Sequence, residues 1–324
     1  MVQSTPFIVH VATLLLSTLS CCSAENVYCV TPTQPTNTSC SPCPHNSIHC
    51  ATFSQFAQQA KSYFTSNTTM VFLSGNHTLD MNITVANISR MTMYGETSGY
   101  VVTVVCSWPV GLSFTSMVGL KIHSLGFTSC GRNFDIPKYK ASKYTLLLDA
   151  IEYAELINCS FHDNLGTALA VYHASITLAQ NNEFTHNHCD GEGFIPNSCV
   201  GGCGITALDS NLTFIGNTTF LGNRATFSSA GIYLINCALS SNGSIHFINN
   251  SLTVPSFSKY SGVAAIWASA SSMNITGTTN IISNSNSGGI ICLYCGVIYA
   301  SHYLCCKSLW TARVFGHKYT HHWN

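Results

Sequence analysis

One short phrase, written five times between Tyr153 and Tyr294, limits what this chain can fold into. Each copy sets Phe or Ile three positions ahead of Asn: Phe161/Asn164, Phe184/Asn187, Phe220/Asn223, Phe247/Asn250 and Ile281/Asn284. An apolar or aromatic residue stands eight positions before each Phe or Ile, at Tyr153, Ile176, Leu212, Leu239 and Met273. After each Asn comes a loop of variable length, then a small-residue entry into a second apolar run, as in Gly204-Ile205-Thr206-Ala207 and Ala230-Gly231-Ile232-Tyr233. Two alternating stretches per period, bounded by Asn, Ser or Gly, predict a repeat of β-structure.

From Phe161 the aromatic position steps by 23, 36, 27 and 34 residues, and the irregularity falls after each Asn. A solenoid tolerates insertions at one corner, because each coil touches only its neighbours. At a turn that recurs directly above itself, Asn accepts left-handed backbone angles, and its amide can bond to the Asn of the next coil. The repeated Phe would stack in a column inside the coil. A β-sandwich is the competing fold, but it gives no reason for identical phrases at equivalent positions.

The phrases Phe161-His-Asp-Asn164, Phe184-Thr-His-Asn187, Phe220-Leu-Gly-Asn223 and Phe247-Ile-Asn-Asn250, alternating with Gly202-Cys203-Gly204-Ile205 and Gly288-Gly289-Ile290, resemble the repeat of the polymorphic outer-membrane proteins. Ile281-Ile-Ser-Asn284 departs by having Ile for Phe. The resemblance covers less than half of the chain. It implies an all-β, right-handed parallel β-helix of the pectin-lyase-like kind, an architecture that serves lyases, hydrolases and adhesins alike.

Of the 324 residues only 7% are charged, and the formal net charge is zero, so nothing draws nucleic acid or anionic lipid electrostatically. Residues 1–24 read as a secretory signal: an apolar run from Phe7 to Leu19 precedes small residues at Cys22-Ser23-Ala24. Eleven Asn-x-Ser/Thr sequons fit an extracellular glycoprotein, at Asn37, Asn67, Asn76, Asn82, Asn87, Asn158, Asn211, Asn217, Asn242, Asn249 and Asn274. Asn158 is expected to lie within a strand and to be inaccessible.

Seventeen cysteines point to the same oxidising compartment. Cys29, Cys40, Cys43 and Cys50 would clamp a Cys-rich segment at 25–50 in one of three pairings, with a four-Cys zinc site as the competing reading. Cys189, Cys199 and Cys203 flank the longest insertion, where a bridge would tie the loop to its base. Cys106, Cys130, Cys159, Cys237 and Cys292 fall in strand-like runs and read equally as buried thiols or bridges. Cys130 stands where later repeats place Asn.

Thr52 and Gln55 form a capping box, and Phe53, Phe56, Ala57, Ala60 and Phe64 recur at helical spacing, so a short capping helix is expected over 51–66, ahead of a β-helix over 67–294. From 295 to 324 the chain reads as an irregular tail that leaves the solenoid incomplete. His302, His317, His321 and His322 with Cys305 and Cys306 offer a metal reading there, and the apolar run from Gly288 to Cys306 a membrane reading; neither is adopted.

Chemistry on this architecture needs converging carboxylates and a basic partner. The twelve acidic residues are scattered. Asp190 and Glu192, near Asp163 and Glu183, form one cluster; Asp149, Glu152 and Glu155 form another, expected to face solvent. His162, His173 and His186 read as isolated. No catalytic residue, metal or cofactor is assigned. The expected function is a non-catalytic secreted or cell-surface scaffold that recognises protein, matrix or glycan, with a membrane attachment only through a missing or C-terminal anchor. The alternative is a pectin-lyase-like polysaccharide lyase or glycoside hydrolase.

Overall fold

The computed structural model describes residues 25–34, 43, 47–96, 102–107, 109–133, 143–189, 202–226, 229–253, 264–285, 289–293, 298–300, 304–306 and 313–315. The segment 1–24, Asn37, Cys40, Asp190, Glu192, Cys199, His302, His317, His321 and His322 lie outside them. Among the described residues the chain is a parallel β-helix, and the only antiparallel pair joins Arg132–Asn133 to Lys143–Ile157.

Each coil visits three stacks of strands in turn. The first, here the entry face, includes Thr167–Tyr172, Ile205–Leu208, Ile232–Ile235 and Ile266–Ser269. The second, the middle face, includes Ser175–Ala179, Asn211–Phe214, Ala238–Ser241 and Ser272–Ile275. Leu112–His123 and Lys143–Ile157 run through both and bend at Ser116 and Ala150, whose φ is positive. The third stack has nine parallel strands and carries the phenylalanines; it includes Ser160–His162, Asn182–Thr185, Thr218–Leu221, Ile245–Ile248 and Thr279–Ile282. Pairing in parallel excludes the sandwich reading.

Register confirms the column. Phe161 pairs with Phe184, Phe184 with Phe220, Phe220 with Phe247 and Phe247 with Ile281. The rings stack at 5.1, 4.9 and 4.9 Å within 10° of parallel, and Phe127 extends the stack below Phe161 at 5.1 Å. The glycine of the second phrase belongs to the same packing. A Cβ at Gly204 would sit 2.5 Å from the Phe220 ring, and one at Gly231 would sit 2.6 Å from the Phe247 ring, so the ring occupies the space a side chain would need.

The asparagines form a buried ladder. Asn164, Asn187 and Asn223 each donate an Nδ2 hydrogen to the Oδ1 of the next Asn, at 2.9, 2.9 and 3.0 Å. The backbone N–H of Asn250 reaches Asn284 Oδ1 at 2.8 Å. The second hydrogen of each amide goes back one coil, as from Asn223 to the Phe184 carbonyl at 2.8 Å. The left-handed backbone expected of these asparagines falls one residue earlier, at Ser129, Asp163, His186, Gly222, Asn249 and Ser283. That residue makes the bend and turns the following Asn inward. Cys130 holds the equivalent place below Asn164: its N–H donates to Asn164 Oδ1 at 2.9 Å, and its sulfur is bridged to Cys106.

One alignment in the sequence reading is off by a residue. Ile176, Leu212, Leu239 and Met273 pair in a buried column, but the residue facing Ile176 is Ala154, and Tyr153 points outward, 49% exposed. Between the middle and phenylalanine faces, Ile157 to Ser160 is one residue shorter than the paired span Ala179 to Glu183. A one-residue offset in a strand exchanges its two faces.

The ladders also reach beyond the span marked by the phrases. Asn26–Thr31 and His49–Thr52 are parallel rungs of the middle face. Ile298–Ala300, Leu304–Cys306 and Arg313–Phe315 add a further coil after Leu293. The capping box is present, with Gln55 N–H bonded to Thr52 Oγ1 and Thr52 N–H to Gln55 Oε1. The helix runs over Phe53–Gln58, and a separate turn follows at Ala60–Tyr63. Phe53 and Phe56 are buried in the core at this end, against Phe72 and Tyr28. Among the described residues no helix is long and apolar enough to cross a membrane.

His77 is buried beside Phe72 in the same region and donates from Nε2 to the Leu73 carbonyl at 2.7 Å. Burial pushes its imidazole below the ordinary value. His123 shifts the same way, from burial and then from Lys121. A base with a depressed folded pKa binds its proton more readily when unfolded, so stability is full above about pH 6.5 and falls as pH drops below it. We expect the urea midpoint to fall between about pH 7 and about pH 5, and His77→Met to flatten part of that slope. An unchanged slope in that variant would place the dependence elsewhere.

Candidate functional site

The bend between the entry and middle faces is made in each coil by a single residue with positive φ. His173 and Asp209 hold it at 49°, Asn236 at 52° and Ala270 at 48°. A left-handed residue between two strands throws its side chain outward at the corner, and Asp and Asn accept this conformation readily. Because the coils are stacked, these side chains line up along the corner.

They form a continuous polar chain across four coils. His173 Nδ1 lies 3.1 Å from Asp149 Oδ1, on the coil below, and Nε2 lies 3.7 Å from Asp209 Oδ2, on the coil above. Asn236 Nδ2 then donates to Asp209 Oδ1. The side chains of His173, Asp149 and Asp209 remain 50%, 35% and 40% exposed. Exposure of this order makes such pairs worth about 1 kcal/mol or less to stability, which leaves room for another role. On the strand that carries Asp149, past the bend at Ala150, Tyr153 faces outward from the middle face, opposite Gly119.

The expected acidic patch is therefore divided by the bend at Ala150. Asp149 joins the corner chain, whereas Glu155 pairs with Lys121 at 3.1 Å on the middle face. Asp163 sits at a different corner, paired with His162 at 3.2 Å, and Glu183 faces outward on the phenylalanine stack. Of the histidines read as isolated, His173 is instead the centre of a cluster. Sequence reasoning missed Asp209 altogether. Its signal was available: Tyr172-His173, Leu208-Asp209 and Ile235-Asn236 close successive entry strands in the same register.

The cysteines sort by depth. Cys29 pairs with Cys43 and Cys189 with Cys203, so the latter bridge closes the base of the 190–201 segment. Cys50 is also disulfide-bonded. The sulfurs of Cys29, Cys43 and Cys50 lie within 4.8 Å of one another. Cys159 and Cys237 are free and buried, and burial pushes their thiols up to about 12 and about 11. Such thiols stay protonated and unreactive.

The outward side of the entry strands is apolar and enclosed. Tyr144, Leu147, Ala170, Tyr172 and Leu208 are buried there, with Tyr233 stacked on Trp267 at 4.5 Å. Both faces of this sheet are covered, as parallel sheets require. The corner chain is thus the polar, solvent-facing margin of an otherwise dry sheet.

No protein-family model matches this chain. No curated protein matches it either. Among solved structures it is similar to Jun a 1, the major allergen from cedar pollen, with a TM-score of 0.31 and 14% identity, over 87% of this chain and 83% of that one. Pectate lyase Pel9A is similar at a TM-score of 0.31 and 10% identity, over 82% of this chain and 79% of that one. The architecture is carried by the chain's own ladders, and these similarities assign it no activity.

Proposed function

We propose that this protein is a secreted or cell-surface β-helix that recognises a neutral glycan without cleaving it, through the corner formed by Asp149, His173, Asp209 and Asn236 together with Tyr153. One observation carries the reading: polar groups from four consecutive coils are aligned and solvent-facing along one corner, with an outward aromatic ring on the adjoining middle face. An aromatic face suits the C–H face of a sugar ring, while carboxylate, imidazole and amide groups bond its hydroxyls. Two aspartates disfavour a polyuronate chain, whose charge has their sign.

The same convergence of two carboxylates around a histidine is what favours the catalytic alternative. Glycoside hydrolysis needs one carboxyl on each side of the scissile bond, with space between them for substrate. Here the His173 ring fills the space between Asp149 and Asp209 and engages both. That arrangement suits recognition better than attack.

The test is retention of the purified chain on an insoluble neutral β-glucan and on a uronate polymer, with and without calcium. Retention on the neutral polymer is expected, weakened by about tenfold in Tyr153→Ala, which corresponds to the ~1.4 kcal/mol an aromatic contact can supply. Asp149→Asn with Asp209→Asn should weaken it further and leave the urea midpoint nearly unchanged. Release of soluble products from either polymer would overturn the reading in favour of the enzyme.

A further inference from the structure

The asparagines of this chain fall into two populations that serve opposite ends. Those of the ladder, Asn164, Asn187, Asn223, Asn250 and Asn284, are buried. Two positions after them stand Gly166, Cys189, Ala225, Leu252 and Asn286, so none begins an Asn-x-Ser/Thr sequon. Their chemistry explains why none can. Asn187 spends one Nδ2 hydrogen on the Phe161 carbonyl at 3.0 Å and the other on Asn223 Oδ1 at 2.9 Å. A glycosylated amide keeps a single N–H, so a sugar there would break a ladder bond besides having no room.

The sequon asparagines are placed the other way. Asn158, Asn211, Asn217, Asn242, Asn249 and Asn274 are all exposed. Asn158, expected within a strand, instead occupies a bend with a φ of 53°. The sharpest case is Asn249-Asn250-Ser251: Asn249 is exposed at a φ of 54°, whereas its neighbour Asn250 is buried in the ladder. A shift of the hydroxyl by one position would target the ladder.

We propose that the protein is N-glycosylated at these six asparagines, so that the glycans stand on the middle face and at both ends of the phenylalanine strands while the ladder asparagines stay unmodified. Asn211 and Asn274 project from the middle face; Asn158, Asn217 and Asn242 lie where it meets the phenylalanine stack; Asn249 lies at the far end of that stack. Across the same coils no sequon falls on an entry strand or on the bend that follows it, although the exposed sequon Asn87 holds that bend two coils below Asp149. In the transfer, the amide nitrogen bonds to the anomeric carbon of a lipid-linked oligosaccharide, the bond from that carbon to the lipid pyrophosphate breaks, and the amide proton is released. With so few charges on the chain, the sugars also supply solubility. The proposal rests on the secretory reading and not on glycan recognition.

The full chain, translated from Met1 in the presence of endoplasmic-reticulum vesicles, provides the test. Glycans are removed by peptide amidase in heavy-oxygen water, which marks each formerly modified Asn as labelled Asp, and peptides are mapped by mass spectrometry. Label is expected at Asn249 but not Asn250, and at Asn211 but not Asn223. Ser251→Ala and Thr213→Ala should each remove one glycan, read as one step in gel mobility, with the remaining sites labelled as before. Exclusion from the vesicles, entry without label, or label on a ladder asparagine would each overturn the proposal. Polysaccharide retention is measured on the same chain independently, so failure of one reading is distinguishable from failure of the other.

Discussion

Replacing Asn223 with alanine is expected to destabilise the solenoid by about 4 kcal/mol, because it leaves buried groups unpaired on two neighbouring coils. Asn223 receives the backbone N–H of Asn187 at 3.0 Å and its Nδ2 at 2.9 Å, and donates to Asn250 Oδ1 and to the Phe184 carbonyl. Each buried group left without a partner costs about 1–3 kcal/mol, and the stacked geometry gives water no route to replace the amide. The isosteric change Asn223→Asp separates hydrogen bonding from shape. A carboxylate fits the space but donates nothing to the Phe184 carbonyl, so the deficit should persist near neutral pH and shrink as the acid protonates at lower pH. Exposed Asn274→Ala, at an outward strand position, should change stability by less than about 0.5 kcal/mol. Urea denaturation of the three variants checks the set, and equal effects at positions 223 and 274 would refute the ladder as a source of stability.

The second large effect is expected from Phe220→Ala, at about 3–5 kcal/mol. The Phe220 ring lies between Phe184 and Phe247, each at 4.9 Å, so its removal opens a void lined by two rings that cannot collapse without disturbing their own strands. Gly204, which leaves room for the ring, would border the same void. Phe220→Leu should cost much less, because Ile281 shows that the column accepts an aliphatic side chain. A double-mutant cycle with Phe184→Ala should give a non-additive loss, since the two residues share one stack. Additive losses would mean that the rings are buried independently.

Much of this architecture was legible because the repeat is physical as well as textual. Side chains that recur at one position of a coil must meet their own kind in the next, so Phe161, Phe184, Phe220 and Phe247 announced a column, and Asn164 to Asn284 a ladder. The capping box at Thr52 and Gln55 was local, and local hydrogen bonds can be read from spacing. Where reading failed, it failed at bends. Tyr153 obeyed the eight-residue spacing, yet a turn one residue shorter sent it to the outside. Asn158 resembled a strand residue and proved to be a bend. Bends admit insertions and deletions without disturbing the strands, so counting through them loses the register.

The candidate site lay beyond such reading. Asp149, His173 and Asp209 are separated by 24 and 36 residues, with the insertion at 190–201 between the last two. Nothing local brings them together.

By itself, then, the amino-acid sequence determined which side chains face inward through most of the coils, since stacking like upon like is the only way to bury them. It also separated the ladder asparagines from the sequons, because none of the ladder asparagines is followed two positions later by Ser or Thr. The tertiary structure alone decided which outward residues become neighbours. That depends on how many residues each bend consumes, and only the closed coil sets it: the left-handed residues at His173, Asp209 and Asn236 align along one edge because the strands before them are hydrogen-bonded in register.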